Sequence, residues 1–334
     1  MPRILMTRAP LRLPLGGGGT DLPWYYQEHG GHLVAAALNL YVYITLNQRW
    51  DHRIMVKYGR EAEVADSIDE IRHDRFRECM KWAGVTAGVE MNVISDAPMN
   101  SGLGGSGAFT VALLLLLRTF RHGVPDITPK ELAEEAFRIE TEIVGDTAGK
   151  QDQYMAAFGG VTALNFDRTG RVGVERLAVK SHTVAELEAH LMLFGTNISR
   201  RAGDVLKDQA AQFKNGNGSK HAAMHRIAAI GREIRQALEL GEPHRVGELM
   251  HQHWVAKKES SALVSGSEID TWYDAARAGG AIGGKILGAG GGGFFAFYCN
   301  HERQTELRRA MAAVGLQEIP FRFEWQGAKV VFDL

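Results

Sequence analysis

Residues 4–15, 31–47, 53–58 and 89–95 alternate apolar and polar positions or run apolar outright, and are rich in Val, Ile, Tyr and Thr. That pattern predicts strands. Residues 68–84 read as a helix, and the nearly unbroken apolar stretch 108–120 predicts a second, buried one. Its longest apolar run, 111–117, is far short of the roughly 20 residues a membrane span requires. Thr128-Pro129-Lys130-Glu131 carries three helix-start signals: Thr as N-cap, Pro at the first position and Glu three residues on to close a capping box. On a 100° wheel Leu132, Ala133, Ala136, Phe137, Ile139, Ile143 and Val144 share one side of this helix, and Glu140 lies in the middle of their arc. Glu134, Glu135 and Glu142 fall on the other face. A carboxylate directed into a core needs a partner, a proton or a metal, because an unpaired buried charge costs several kcal/mol. An ion pair with Arg or Lys is the plain alternative.

Downstream, Asp152 opens a short helix, where it could act simply as an N-cap, and residues 161–166 form a strand. A polar hairpin at 169–182 marks a lobe boundary and divides the chain into 1–175 and 176–334. The second half is helix-rich: a strand at 191–195, a loop at 197–201, helices at 203–213, 220–240, 242–258 and 268–278, a strand at 294–298, a helix at 301–314 and strands to the end. The fold class is α+β.

Length changes the picture little: 334 residues divided by about 150 also suggests two lobes. With 45% hydrophobic and 23% charged residues and a formal charge of −1, the chain has no electrostatic footprint for nucleic acid or an anionic membrane. The N-terminus enters a strand without a signal-peptide layout, and Cys79 and Cys299 make neither a disulfide framework nor a metal cluster, which points to a reducing, cytoplasmic setting. His251-x-His253 lacks a third ligand nearby and reads as helix surface. One chain does not decide the oligomeric state, and a homo-oligomer stays open.

Glycine is the outlier, at 39 of 334 residues, about 12% against an expected 7%. Fifteen of them fall in three patches, 16–19, 102–107 and 283–293. Such clustering suggests three backbone-lined parts of one ligand site. The central patch, Asn100-Ser101-Gly102-Leu103-Gly104-Gly105-Ser106-Gly107, stands between a predicted strand and the apolar helix. Free N–H groups and the helix dipole make such a turn an anion site. Gly102-x-Gly104-x-x-Gly107 matches the dinucleotide fingerprint, but the second strand ending in an acid about 20 residues later is missing, since 121–126 reads as a loop. No Lys-Ser/Thr pair comes after the last glycine, so it is not a Walker A sequence either.

Together the patches resemble the three motifs of the GHMP kinases, the superfamily of galactokinase, homoserine kinase, mevalonate kinase and phosphomevalonate kinase. Ala9-Pro10-x-Arg12-x-x-Leu15-x-Gly17-x-x-Thr20-Asp21 resembles the first, 100–107 the phosphate-binding second and 287–293 the third. The resemblance spans nearly the whole chain. It implies a two-lobed GHMP kinase fold, with an N-terminal lobe like ribosomal protein S5 domain 2, a ferredoxin-like C-terminal lobe and ATP between them. It further implies that 100–107 cradle the ATP phosphates, that Ser106 and Glu140 hold Mg²⁺, and that Asp152 is the catalytic base with Arg12 beside it. Gly17, Gly18, Gly19, Thr20, Asp21, Gly290 and Gly291 become substrate-side residues, and Lys150 is a candidate partner for a phosphate. The apolar arc around Glu140 and the family motif thus agree.

Galactokinases carry Glu and His where Gly18 and Gly19 stand, which leaves room here for a larger or already phosphorylated sugar. The runs 17–23, 149–154, Ile198-Ser199-Arg200, His253-Trp254 and Gly283-Gly284-Lys285 resemble the D-glycero-D-manno-heptose 7-phosphate kinase subgroup. The implied small-molecule partners are a sugar phosphate and ATP, with phosphate added at the anomeric hydroxyl on a GDP-heptose route. Arg200 and Arg201 are candidates for the sugar's existing phosphate, because Arg forks match phosphate oxygens. Alternatives are a fucokinase-type sugar 1-kinase, an octose phosphate kinase of antibiotic biosynthesis, and a non-catalytic sugar sensor. The sensor reading needs a damaged catalytic set, and Arg12, Ser106, Glu140 and Asp152 are all present.

Overall fold

A computed structural model describes residues 3–123, 127–198, 202–214 and 218–334. Among them the strands are β1 (Ile4–Gly16), β2 (Gly31–Gln48), β3 (Ile54–Tyr58), β4 (Glu61–Ala65), β5 (Val89–Ser95), β6 (Val161–Phe166), β7 (Val172–Arg176), β8 (Leu191–Gly195), β9 (Ala281–Ile286), β10 (Phe294–Cys299), β11 (Gln317–Ile319) and β12 (Lys329–Asp333). The helices are α1 (Pro23–His29), α2 (Asp74–Ala83), α3 (Gly105–His122), α4 (Pro129–Arg138), α5 (Gln151–Phe158), α6 (Ser181–His190), α7 (Ala202–Lys214), α8 (Gly218–Leu240), α9 (Pro243–Ser260), α10 (Ser267–Ala278) and α11 (Gln304–Ala313).

The larger sheet runs β12-β1-β2-β5-β3-β4, with β6 paired to the first half of β2 and β7 to β6. The smaller sheet, β11-β8-β10-β9, belongs to the second half. β7 ends at Arg176, beside the expected 175/176 boundary, but the chain later returns: β12 pairs with β1 over Leu5–Arg8 and extends the first sheet with C-terminal residues. A strand at the end of a chain has no local signal for its partner, so only the fold reveals it.

The helix α3 is buried on nearly every side, from Gly107 to Leu117, which explains its unbroken apolar run. The capping box at Thr128 and Glu131 forms as expected. The helix it starts does not continue as expected, however. A π turn occupies Ile139–Ile143, and the extra residue per turn rotates the residues beyond it out of register. Ile139 and Glu140 stay buried, while Ile143 is 44% exposed. The expected 68–84 helix is likewise shorter, a 3₁₀ turn at Ile68–Glu70 and then α2.

Candidate active site

β1 carries Pro10 and Pro14, and its register with β2 shifts after each. Proline has no N–H to give a ladder, so it sits at bulges, where the strand bends. β12 accompanies β1 only to Arg8. On the edge beyond, the Arg12 amide donates to the Leu103 carbonyl at 2.9 Å and docks the 100–104 loop onto the strand. The Arg12 side chain then spans the site: Nε donates to Asp152 Oδ1 at 2.8 Å, and Nη1 donates to the Gly102 carbonyl. Arg12 is 4% exposed, so a single buried guanidinium fixes a carboxylate and the glycine-loop backbone together.

Asp152 lies in the first turn of α5, where the helix dipole favours a carboxylate, yet it does not cap that helix. Asp21 does. Its carboxylate accepts the Gln151 amide at 3.2 Å and the Gly19 amide at 3.0 Å. Burial raises the Asp21 pKa, and the nearby charge of Asp152 adds to the rise.

Two of the three glycine patches, 102–107 and 283–293, pack on one another. A Cβ at Gly102 would meet the Leu287 carbonyl at 2.6 Å, and one at Gly293 would meet the Ser101 carbonyl at 2.2 Å. Backbone approach this close excludes any side chain. The result is a cleft of about 460 Å³ lined from both halves of the chain.

Glu140 is 1% exposed in that cleft. Its Oε2 accepts the Gln153 side-chain amide at 3.0 Å and the Ser106 hydroxyl at 3.4 Å, and its Oε1 has no partner. Burial pushes its pKa up, while the Arg75 guanidinium, which also lines the cleft, pulls the other way. The ion-pair alternative is therefore not realised: the nearest tie of Arg75 is to Asp146, at 2.5 Å. An orphaned buried carboxylate oxygen beside a hydroxyl fits a hard divalent cation. Among the described residues no group of three or more His, Cys, Asp or Glu is arranged to hold a metal, so such an ion would take its other ligands from phosphate oxygens and water.

Most of the sequence-predicted residues meet in this cleft. Asn100, Ser101, Gly102, Gly104, Gly105 and Ser106 line it, as do Arg12, Asp152, Gly18, Gly19, Asp21 and Gly290. Leu103 and Gly107 are behind it: Leu103 anchors Arg12, and Gly107 packs on Asp152. Gly17 and Thr20 form the turn itself, with Thr20 Oγ1 donating to the Gly17 carbonyl at 2.7 Å. The Gly291 amide is spent on the Val264 carbonyl. Lys150 is a correction: its ammonium is bound by both Glu134 oxygens, at 2.8 and 2.9 Å, and by the Gly170 carbonyl, so it ties α5 to α4 and does not face the cleft. Arg200 and Arg201 lie outside the described residues.

Sequence reasoning gave no site role to Arg75, His253, Lys257 or Lys285, all of which line the cleft, although His253 and Lys285 fall in runs that carry the subgroup resemblance. His253, expected on a helix surface, is 1% exposed. The missed signal was the one that found Glu140: Val246, Met250, His253, Trp254 and Lys257 share a buried stripe of α9, so a charge stands in an apolar arc.

Family models for the GHMP kinases N-terminal and C-terminal domains match residues 70–160 and 234–316. A D-glycero-alpha-D-manno-heptose 7-phosphate kinase of Campylobacter jejuni is 30% identical over 98% of both chains. A solved D-glycero-D-manno-heptose 1-phosphate kinase of Bacteroides thetaiotaomicron superposes with a TM-score of 0.80 at 26% identity, covering 98% of this chain and 99% of its own. Galactokinase of Lactococcus lactis, at 18% identity and a TM-score of 0.75 over 98% and 95% of the two chains, shares the fold. With its glycine-rich loop, its Arg12–Asp152 pair and matches to both domains of the family, the chain belongs to the GHMP kinases and is a phosphotransferase with an alcohol group as acceptor.

Proposed function

We propose that this chain is an ATP- and Mg²⁺-dependent sugar-phosphate kinase that phosphorylates the anomeric hydroxyl of D-glycero-D-manno-heptose 7-phosphate. The observation that carries the reading is the Arg12 guanidinium bridging Asp152 and the Gly102 carbonyl. It sets a base at the foot of the phosphate loop, where an acceptor hydroxyl must meet the γ-phosphate. The heptose phosphate kinases of Campylobacter jejuni and Bacteroides thetaiotaomicron support the substrate class. So does the acceptor side, where Gly18 and Gly19 present only backbone beside Asp21.

Phosphoryl transfer depends on positioning and charge neutralisation more than on covalent chemistry. The amides of 102–106 hold the nucleotide phosphates at the start of α3, with the helix dipole behind them. Ser106 and Glu140 would hold Mg²⁺, which when bound neutralises phosphate charge and orients its oxygens. Asp152 Oδ1 is fixed by Arg12, which leaves the rest of the carboxylate to take the proton of the acceptor hydroxyl. Asp21, held by two backbone amides, orients the sugar hydroxyls.

ATP consumption with Mg²⁺ and heptose 7-phosphate, beside unphosphorylated heptose, fucose and galactose, tests the reading. Turnover confined to the phosphorylated heptose and abolished in Asp152→Asn is the expected result. Faster turnover of fucose or galactose would overturn the substrate, and full activity in Asp152→Asn would overturn the base.

A further inference from the structure

Three basic side chains on one wall of the cleft have no part in the mechanism above. His253 and Lys257 stand one turn apart on α9, and Lys285 points from β9. Helix and strand meet closely because both are glycine at the contact: a Cβ on Gly283 would come within 2.0 Å of the Gly247 carbonyl. All three residues are at least nine-tenths buried, His253 at 1%, Lys257 at 7% and Lys285 at 2% exposure.

Their polar atoms are poorly satisfied. Lys257 donates to the carbonyls of Ile286, at 3.3 Å, and Gly288. Both ring nitrogens of His253 are without partners. The Lys285 ammonium makes no hydrogen bond or ion pair among the described residues, and none of the three side chains pairs with a described carboxylate. The fourth basic group near them, Arg12, is already committed to Asp152.

Burial drives the Lys285 and His253 pKa values well down, and each is lowered further by neighbouring cations: Lys257 and Arg12 for Lys285, Lys285 and Lys257 for His253. Lys257 is pulled to about 7, by burial first and by Arg12 second. Buried cations without a counter-ion are costly, and an isolated structural role explains neither the unpaired Lys285 nor the open imidazole. The missing element is an anion that arrives in the cleft.

We propose that His253, Lys257 and Lys285 form a receiving site for a phosphoryl dianion, beside the 286–288 segment that packs on the nucleotide phosphate loop. This rests on the kinase reading, in which two such groups reach the cleft besides the nucleotide's own bound phosphates: the phosphate that the acceptor already carries and the phosphoryl group in transit. Each offers several acceptor oxygens to ammonium and imidazolium donors. Binding recharges the cluster, so the protein takes up protons as the anion enters.

The test begins with inorganic phosphate, titrated calorimetrically into the nucleotide-free protein in two buffers of different ionisation enthalpy. The wild type binds with buffer-dependent heat that reports proton uptake. Lys285→Met binds about tenfold or more weaker, as expected for loss of a charge-assisted donor, and Lys285→Arg restores part of the affinity. Lys285→Met replaces an unpaired buried amine with an apolar side chain of similar length, so it keeps or raises Tm, and lost binding is not lost folding.

Turnover then separates the sources. A rise in KM for the phosphorylated heptose alone assigns the site to the acceptor's phosphate. A fall in kcat shared by phosphorylated and unphosphorylated heptose, with both KM values unchanged, assigns it to the phosphoryl in transit. Equal phosphate affinity in wild type and Lys285→Met, or no phosphate binding by the wild type, overturns the proposal. Should the wild type turn over no sugar at all, the proposed function falls, while the phosphate titration still decides this site.

Discussion

Gly107 and Asp152 are packed so closely that a methyl group on the glycine would lie 2.7 Å from the aspartate Cβ and 2.9 Å from its carbonyl carbon. The first turn of α3 and the first turn of α5, which bears the proposed base, therefore touch almost backbone to backbone. Gly107→Ala forces them apart. A misplacement of about 1 Å in a reacting group costs about 10²-fold, so kcat falls on that order while the protein still binds ATP. An unchanged kcat would show that this contact does not position the base.

Arg12→Lys separates charge from geometry. The guanidinium serves Asp152 and the Gly102 carbonyl at once, and an ammonium on a shorter fork-less stem reaches one of them. We expect kcat to fall by about 10² with near-wild-type Tm, because a cation still faces Asp152. Full activity in the lysine variant would mean that the charge alone suffices.

Glu140 gives the pH dependence its sign. Its pKa is raised in the native state, so the native protein holds that proton more tightly than the unfolded chain. The stabilisation this provides is complete below the ordinary Glu range and is lost as pH rises through the elevated native value. Glu140→Gln removes the burden. The ligand-free variant should be more stable than wild type at pH 7, with a flatter profile of Tm against pH above the ordinary Glu range, and should lose the Tm gain that Mg²⁺ with nucleotide gives the wild type. A variant no more stable at pH 7 than wild type would contradict the buried, unpaired state of this carboxylate.

Lys150→Met distinguishes structure from substrate binding. It removes the ammonium held by Glu134 and the Gly170 carbonyl, and leaves Glu134 with the Tyr154 hydroxyl. Glu134 is 37% exposed, which softens the loss, so stability should drop by roughly 2 kcal/mol, less than for a fully buried pair. KM for both substrates should stay within about twofold of wild type, since no contact to the cleft is lost. A large rise in either KM would return Lys150 to the site.

Where local pattern carried the physics, the sequence was legible. Strands at 161–166 and 191–195 and the capping box at Thr128 are found at the expected positions, because alternation and cap chemistry act within a few residues. Glu140 was found by its place in an apolar arc, even though the helix beneath it turns into a π turn. Lys257 sits in an equivalent arc on α9 and was passed over, since a lysine near a helix end reads as a solvated or dipole-compensating charge. The role of Lys150 was not readable either: Glu134 is sixteen residues away, and nothing in the local sequence marks the pair.

By itself the sequence determined the chemistry available: three glycine patches, an isolated carboxylate in an apolar stripe, and an Arg and an Asp in the family's motif positions. These are properties of residue type and short spacing, and they survive without coordinates. Only the tertiary structure decided which of those groups meet. Arg12 reaches Asp152 across 140 positions, Gly293 packs on Ser101, and β12 returns to β1 from the far end of the chain. It also gathered His253, Lys257 and Lys285 around one cavity. Long-range proximity is set by how sheets and helices bury their apolar faces together, so no local pattern encodes it.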